Sequence, residues 1–190
     1  ASGAKTTETV AIGEPIPDIP RAAEQTVTLT NDRITLTFSS WGGCVTATVL
    51  HGYTTTQDID AAVVAFDFAM NPALVYRGIG GFGREASFTV QEEQGGRGLI
   101  LEMISPTGLA LTRTIKLDDA YLLEVVDTFA NRGAVPLNIP EHRLTMGFMQ
   151  ESSGGKSLYV PYSLGVDVSL YGGKGVEYLG KKRMPKLVKA

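Results

Sequence analysis

Alternating hydrophobic and polar residues run through most of this chain and predict β-strands. The clearest case lies between residues 109 and 139, where two such runs are separated by a short turn. In the first run, apolar residues occupy alternate positions: Leu109, Leu111, Ile115 and Leu117. In the second run they do so again: Tyr121, Leu123, Val125 and Phe129. Because a period of two places alternate side chains on one face of a strand, these runs predict a hairpin with one buried face.

The register of this hairpin decides whether two charged residues meet. If Leu117 pairs with Tyr121 across a three-residue loop, the two apolar faces coincide, and the loop contains two aspartates that tolerate turn geometry. Arg113 on one apolar face and Asp127 on the other then become diagonal neighbours. We interpret them as a structural ion pair, or as two side chains reaching for water at a sheet edge, rather than as a catalytic pair.

Shorter strand-like runs occur on both sides of the hairpin. They lie at residues 26–30, 33–38, 44–50, 86–93, 97–104 and 136–150, the last with an irregularity at Pro140. Residues 53–71 are compatible with a helix or a strand, and their Val and Phe content favours a strand at 63–68. Short glycine-punctuated segments follow residue 156. Roughly a dozen strands with almost no helical period predict an all-β fold, a large antiparallel β-sandwich.

The composition divides the chain into three parts. Residues 1–25 are rich in Thr, Ala, Gly, Glu and Pro and predict a flexible leader or tether, anchored at most by Val10, Ile12 and Ile16 as an edge segment. Residues 26–180 form the predicted sandwich domain. Residues 181–190 form a basic tail, either a solvated end or a segment beside an anionic membrane: Lys181, Lys182, Arg183, Lys186 and Lys189.

Composition and charge exclude several classes. Hydrophobic residues make up 43% of the chain and charged residues 19%, as in an ordinary globular protein. The net charge of −3 gives no broad attraction for nucleic acid. No run approaches the roughly 18 apolar residues of a membrane span, so we expect a soluble piece, although an excised part of a membrane protein has the same appearance. Cys44 is the single cysteine, so no intrachain disulfide forms, and we expect it to be a small buried hydrophobe.

The sequence contains no recognisable catalytic, cofactor or metal pattern. His51 and His142 lack partners at metal-ligand spacing, and we expect both to be exposed or structural. The glycines of residues 78–83 do not match a phosphate-binding loop. Isolated acids are expected on exposed strand faces: Glu85, Glu102, Glu124 and Glu151. Irregularly spaced tyrosines give only a weak signal for sugar stacking: Tyr159, Tyr162, Tyr171 and Tyr178.

The order of three segments resembles a known family. They are TVTLTNDRITLTFSSWGGCVTATVLHGY (26–53), LTRTIKLDDAYLLEVVDTFANRGAVPLNI (111–139) and VEYLGKKRMPKLVKA (176–190). These segments are similar to the opening strands, the central strand pair and the C-terminal stretch of the large periplasmic domain of the bacterial membrane protein insertase YidC. The resemblance covers residues 26–190, is strongest in the first two segments, and is loose over residues 54–83, which are shorter than in proteobacterial members.

The resemblance implies a β-supersandwich of the galactose-mutarotase type on the periplasmic side of the bacterial inner membrane. The leader would then be the tether from the first transmembrane helix, and the tail would approach the second. It implies a noncatalytic domain without cofactor, metal or catalytic residue, accessory to the insertion and folding of inner-membrane proteins. The implied partners are Sec translocon components, the insertase's own transmembrane core and nascent membrane proteins.

Two alternatives have other functions. An aldose epimerase of the same sandwich class needs a histidine general acid and a glutamate base, for which His51 or His142 with Glu151 are the candidates. A carbohydrate-binding or adhesion module needs neither.

Overall fold

The described residues fold into β-strands and contain no helix. A computed structural model of the chain describes residues 10–11, 21–54, 60–93, 95–147, 165–169 and 176–180, with backbone alone at 10–11 and beyond 147. The strands are β1 (Val10–Ala11), β2 (Thr26–Thr30), β3 (Ile34–Ser39), β4 (Cys44–Thr54), β5 (Val63–Asp67), β6 (Ala73–Arg77), β7 (Thr89–Glu92), β8 (Gly98–Ile104), β9 (Leu109–Leu117), β10 (Leu123–Asn131), β11 (Leu137–Asn138), β12 (Arg143–Met146), β13 (Gly165–Ser169) and β14 (Val176–Gly180). No helix able to cross a bilayer is found within this described part.

The chain divides into two compact units, Ala1–Phe148 and Met149–Ala190. In the first unit, a larger sheet has the strand order β12-β6-β4-β3-β2, with β5 also paired to β4. A second sheet has the order β10-β9-β8-β7. In the second unit, β13 and β14 form an antiparallel hairpin in which Gly165 is opposite Gly180.

The two sheets of the first unit pack face to face around one hydrophobic core. The larger sheet contributes six buried side chains from its strands: Leu29, Ile34, Leu36, Phe38, Val45 and Tyr76. The second sheet contributes another six: Leu99, Leu101, Leu109, Leu111, Ile115 and Leu117. Because each sheet buries one face of alternating residues against the other, the fold is an antiparallel β-sandwich, and this prediction is confirmed.

The central hairpin has a different register from the predicted one. Leu117 is opposite Leu123, so the loop has five residues, 118–122. The Asp118 carboxylate closes this loop, because it accepts the backbone N–H groups of Ala120 (2.8 Å) and Leu122 (3.0 Å). The predicted pairing of Leu117 with Tyr121 was therefore wrong by two residues. A shift of two preserves the buried face, and it moves Arg113 from diagonal to directly opposite Asp127.

The predicted long strand at 136–150 is also wrong. The described part of this segment contains two short strands separated at Pro140, because β11 pairs in parallel with β1 whereas β12 pairs with β6. Proline has no N–H to donate to a ladder, so a strand tends to end there. The strand expected at 63–68 is confirmed as β5, and the edge segment is confirmed at Val10, which pairs with Leu137. Ile12, Ile16, residues 148–150 and the basic tail lie outside the described residues.

Candidate functional site

A buried ion pair joins the two strands of the central hairpin and faces the core. The Arg113 side chain is 0% exposed and that of Asp127 is 12% exposed. The Arg113 Nε and Nη2 atoms donate to the two carboxylate oxygens of Asp127 at 2.7 and 2.6 Å. This is the two-point geometry in which a guanidinium binds a carboxylate most strongly. The alternating pattern predicts both residues on the buried face, and the structure brings them together.

The same guanidinium also reaches across to the larger sheet. Arg113 Nη1 donates to the carbonyl oxygens of Gly43 (2.7 Å) and Leu74 (2.6 Å). Gly43 precedes β4 and Leu74 lies in β6. One side chain of the second sheet therefore binds two backbone carbonyls of the larger sheet. Leu74 has a φ of 69°, a backbone conformation that bulky residues other than glycine rarely adopt. The bond to its carbonyl is one of the contacts that maintain this strained backbone.

Tyr76 completes the polar cluster. Its hydroxyl donates to Asp127 Oδ2 at 2.6 Å, and its ring lies 5.5 Å from the Arg113 guanidinium carbon. Burial, and then the hydrogen bond and charge of Asp127, raise the pKa of Tyr76 to about 12. The hydroxyl therefore keeps its proton at neutral pH and serves as a donor rather than a base. The ring also contacts Phe129 and His142 edge-on, at centroid distances of 5.4 and 5.6 Å.

We refer to Arg113, Asp127, Tyr76 and their carbonyl partners as the inter-sheet clamp. Within the described part of the chain, no buried side-chain nitrogen or oxygen lacks a hydrogen-bond partner. Arg113 is inaccessible to solvent, and the carboxylate of Asp127 is occupied by three donors. The polar atoms of the clamp are therefore directed at one another and at the backbone of the larger sheet, so the clamp links the two sheets.

The two histidines lie in separate surroundings. His51, in β4, exchanges a hydrogen bond with the Thr35 hydroxyl at 2.8 Å and is exposed. His142 is exposed as well, and its Nδ1 atom lies 3.0 Å from the Pro140 carbonyl oxygen. Glu151, the proposed base of an epimerase, lies outside the described residues.

The described acids do not converge on one point. Glu85 follows the glycine-rich turns, Glu102 lies on β8 and accepts the Thr112 hydroxyl at 3.1 Å, and Glu124 is opposite Lys116. All three are exposed, as predicted. Among the described residues, no group of three or more His, Cys, Asp or Glu side chains is placed to hold a metal ion. Tyr159, Tyr162 and Tyr171 lie outside these residues, and only the backbone of Tyr178 is described, in β14.

Cys44 is buried at the start of β4, as expected. Its thiol donates to the Trp41 carbonyl oxygen at 3.1 Å. Desolvation by burial raises the pKa of the Cys44 thiol to about 11, so the thiolate form needed for nucleophilic chemistry is scarce at neutral pH.

An exposed aromatic surface lies at the end of the sandwich where β4 and the central hairpin loop meet. Tyr53 and Tyr121 have ring centroids 6.1 Å apart, and the guanidinium of Arg33 lies 5.7 Å from the Tyr121 ring centre. Tyr53 is 54% exposed and Leu122 is 65% exposed. We call these four residues the Tyr121 patch. No local sequence pattern predicts this patch, because Tyr53 lies in β4 whereas Tyr121 lies in the loop of the central hairpin.

The patch rests on a buried amide that joins both sheets. Asn31 Nδ2 donates to the carbonyl oxygens of Asp118 (2.7 Å) and Ala120 (2.8 Å) in the hairpin loop. Asn31 Oδ1 accepts the backbone N–H groups of Arg33 (2.8 Å) and Ile34 (2.9 Å) in its own turn. Both donors and both acceptor positions of the amide are used. The two loops that carry Arg33 and Tyr121 are thus fixed to each other.

Comparison with known proteins places the chain in a family. A family model described as the YidC periplasmic domain matches residues 26–178. Neither a curated protein nor a solved structure gives a significant match. The family match covers most of the 190 residues and includes every strand of the two sandwich sheets. The chain therefore belongs to the YidC periplasmic domain family, which is part of a membrane insertase and lies on the periplasmic side of the inner membrane.

Proposed function

We propose that this chain is a noncatalytic accessory domain of the insertase, and that it contacts Sec translocon components through the Tyr121 patch. The observation that carries the proposal is the presence of a rigid, exposed aromatic surface on a domain of this family. Its role is to support the insertion and folding of inner-membrane proteins, with the transmembrane core of the insertase and nascent membrane proteins as further partners.

The composition of the patch favours a protein partner. Tyrosine and arginine are enriched among the residues that contribute most to protein interfaces, because each combines a large apolar surface with a polar end. Leu122 adds an exposed aliphatic side chain beside Tyr121. Asn31 fixes the supporting loops before any partner arrives, so little conformational entropy is lost on binding.

The inter-sheet clamp supports the noncatalytic part of the proposal. It is the most extensive polar cluster buried in the described part of the chain, and its atoms are already bonded to one another. The clamp thus contributes to the stability of the sandwich that presents the patch.

We also propose a domain organisation, which the family match at residues 26–178 supports for the central part. Residues 26–180 form the accessory domain, residues 1–25 connect it to a preceding membrane segment, and residues 181–190 lead towards a following one. Basic side chains beside an anionic bilayer surface gain a favourable electrostatic interaction, which suits the composition of residues 181–190.

Photocrosslinking in the full-length insertase tests the proposed contact. A photoreactive amino acid replaces Tyr53, Tyr121 or Leu122 in turn, and adducts are identified after illumination of intact cells. Ile104 is the matched control, because it is also 65% exposed but lies at the opposite end of β8 and β9, next to Ala110. We expect Sec adducts from the patch positions and not from position 104. Equal adducts from position 104, or no Sec adduct from any patch position, would contradict the proposal.

A further inference from the structure

The five residues that precede β2 are attached to one corner of the sandwich. The Arg21 guanidinium carbon lies 4.1 Å from the centre of the Trp41 ring. Its Nε atom donates to the Glu85 carbonyl oxygen at 2.9 Å, and its Nη2 atom donates to the carbonyl oxygen of Arg84. The planar face and the N–H edge of one guanidinium are therefore bound at the same time, a combination that lysine does not provide.

The rest of the segment is held by the turn between β3 and β4. Trp41 Nε1 donates to the Ala22 carbonyl oxygen at 3.0 Å, and the Ser39 hydroxyl donates to the Glu24 carboxylate at 2.5 Å. Ser40 makes two bonds to Gln25: its hydroxyl accepts the Gln25 N–H at 2.8 Å, and its own N–H donates to the Gln25 carbonyl at 2.8 Å. Residues 21–25 thus bind to one surface of the sandwich. We call this surface the Trp41 corner and define it as residues 39–41, 84 and 85.

These contacts differ in kind from those of the core. Residues 21–25 are all exposed, whereas β2 next to them contains Leu29 at 0% exposure. Segments that bury little apolar surface and hold by solvent-exposed hydrogen bonds open at a small fraction of the global unfolding free energy. The attachment is accordingly specific in geometry yet weaker than the sandwich to which it is attached.

We propose that residues 21–25 form a releasable strap whose docking limits the length of the tether. In the docked state, Arg21 fixes the chain to the Trp41 corner just ahead of β2. In the released state, once the pairing of Val10 with Leu137 in β11 has also opened, five residues are added to the tether, which lengthens its reach by up to about 17 Å. The consequence for reach rests on the proposed function, in which the leader joins the domain to the membrane. The docking and release themselves do not depend on it.

Trp41 makes the strap directly observable, because it is the only tryptophan in the sequence. In Arg21→Ala, we expect the Trp41 emission to shift to longer wavelength and acrylamide quenching to increase. We expect the Gln25 amide to exchange with deuterium roughly fivefold faster, because the docked state loses the free energy of one exposed cation–π contact. Arg21→Lys keeps the charge but loses the planar stacking and the two-carbonyl geometry, so its exchange rate lies between those of the wild type and Arg21→Ala.

Two controls separate strap release from general loss of structure. Arg33→Ala removes the arginine over Tyr121 and is expected to leave the Trp41 emission unchanged. The Leu29 amide lies in β2 opposite Leu36, in the same ladder position as the hydrogen-bonded pairs Gln25–Ser40 and Asn31–Ile34, and its exchange is expected to be unaffected in Arg21→Ala. The inference is overturned if Arg21→Ala changes neither Trp41 emission nor Gln25 exchange, or if Leu29 exchange rises by the same factor. Failure of the Sec crosslinks does not affect this result, so the two proposals fail separately.

Discussion

Removal of either charge of the inter-sheet clamp is expected to lower the stability of the sandwich by a large amount, and the two losses are expected to differ. In Asp127→Ala, the fully buried Arg113 loses its counterion and two hydrogen bonds of 2.7 and 2.6 Å. A buried charge deprived of its partner costs about 3–5 kcal/mol, which is a large part of the roughly 5–15 kcal/mol that stabilises a typical domain. In Arg113→Met, Asp127 keeps the Tyr76 hydroxyl, but the carbonyls of Gly43 and Leu74 lose their donor, at about 1–3 kcal/mol each.

The double variant Arg113→Met/Asp127→Leu distinguishes a coupled pair from two independent residues. It removes both charges together, so neither is left buried alone. We expect it to be less destabilised than the sum of the two single variants by about 2–3 kcal/mol, the upper range of measured coupling energies. The three carbonyl and hydroxyl groups that lose partners prevent full recovery of the wild-type stability.

Urea denaturation followed by far-UV circular dichroism measures these free energies. The slope of the unfolding free energy against urea must remain equal among the variants, since a changed slope indicates a changed native or denatured state. Arg97→Ala is the control, because Arg97 and Asp119 form an exposed ion pair that is worth less than about 1 kcal/mol. Strict additivity in the double variant, or an Asp127→Ala cost as small as that of Arg97→Ala, would refute the reasoning.

Two further predictions concern backbone geometry and pH. Gly78 has a φ of 95°, and a Cβ at this position would lie 2.6 Å from the Glu141 carbonyl oxygen. Gly95 has a similar φ of 101°, but a Cβ there would have nothing within 4 Å. Gly78→Ala is therefore expected to lower the free energy of unfolding by at least about 1 kcal/mol more than Gly95→Ala in the same urea assay. Equal costs would show that the carbonyl moves aside. Tyr76 holds its proton up to a pKa of about 12 in the folded chain but only to about 10 when unfolded. The stability that wild type gains over Tyr76→Phe, about 1.5–3 kcal/mol for a bond to a charged group, is therefore present below pH 10 and declines between pH 10 and 12. A difference between the two proteins that is constant over this interval would contradict the assignment.

The period-two pattern was sufficient to predict the sandwich, because side-chain alternation and burial of one face follow from the same geometry. It placed Arg113 and Asp127 on the buried faces of β9 and β10. It did not predict their exact pairing, since the hairpin loop is closed by the Asp118 carboxylate bonding to two backbone N–H groups. That interaction depends on three-dimensional loop geometry rather than on the pattern of apolar residues.

The surface features were beyond the reach of sequence reasoning for a related reason. Arg21 binds the backbone carbonyl oxygens of Arg84 and Glu85. Because every residue has a backbone carbonyl, no sequence signature identifies these acceptors. The Tyr121 patch combines β4, the turn before β3 and the central hairpin loop, and the proximity of these segments depends on the completed fold. The resemblance of residues 26–53 and 111–139 to the family identified the domain correctly but carried no information about either surface.

Because all four hydrogen-bonding positions of the Asn31 amide are used, the length of the turn before β3 depends on the length of the central hairpin loop. An insertion into the turn before β3 would displace the amide from the carbonyls of Asp118 and Ala120, and an insertion into the central hairpin loop would do the same from the other side. Neither loop can change its length alone without leaving buried amide groups unpaired. Changes in loop size at this end of the domain are therefore expected to occur in compensating pairs.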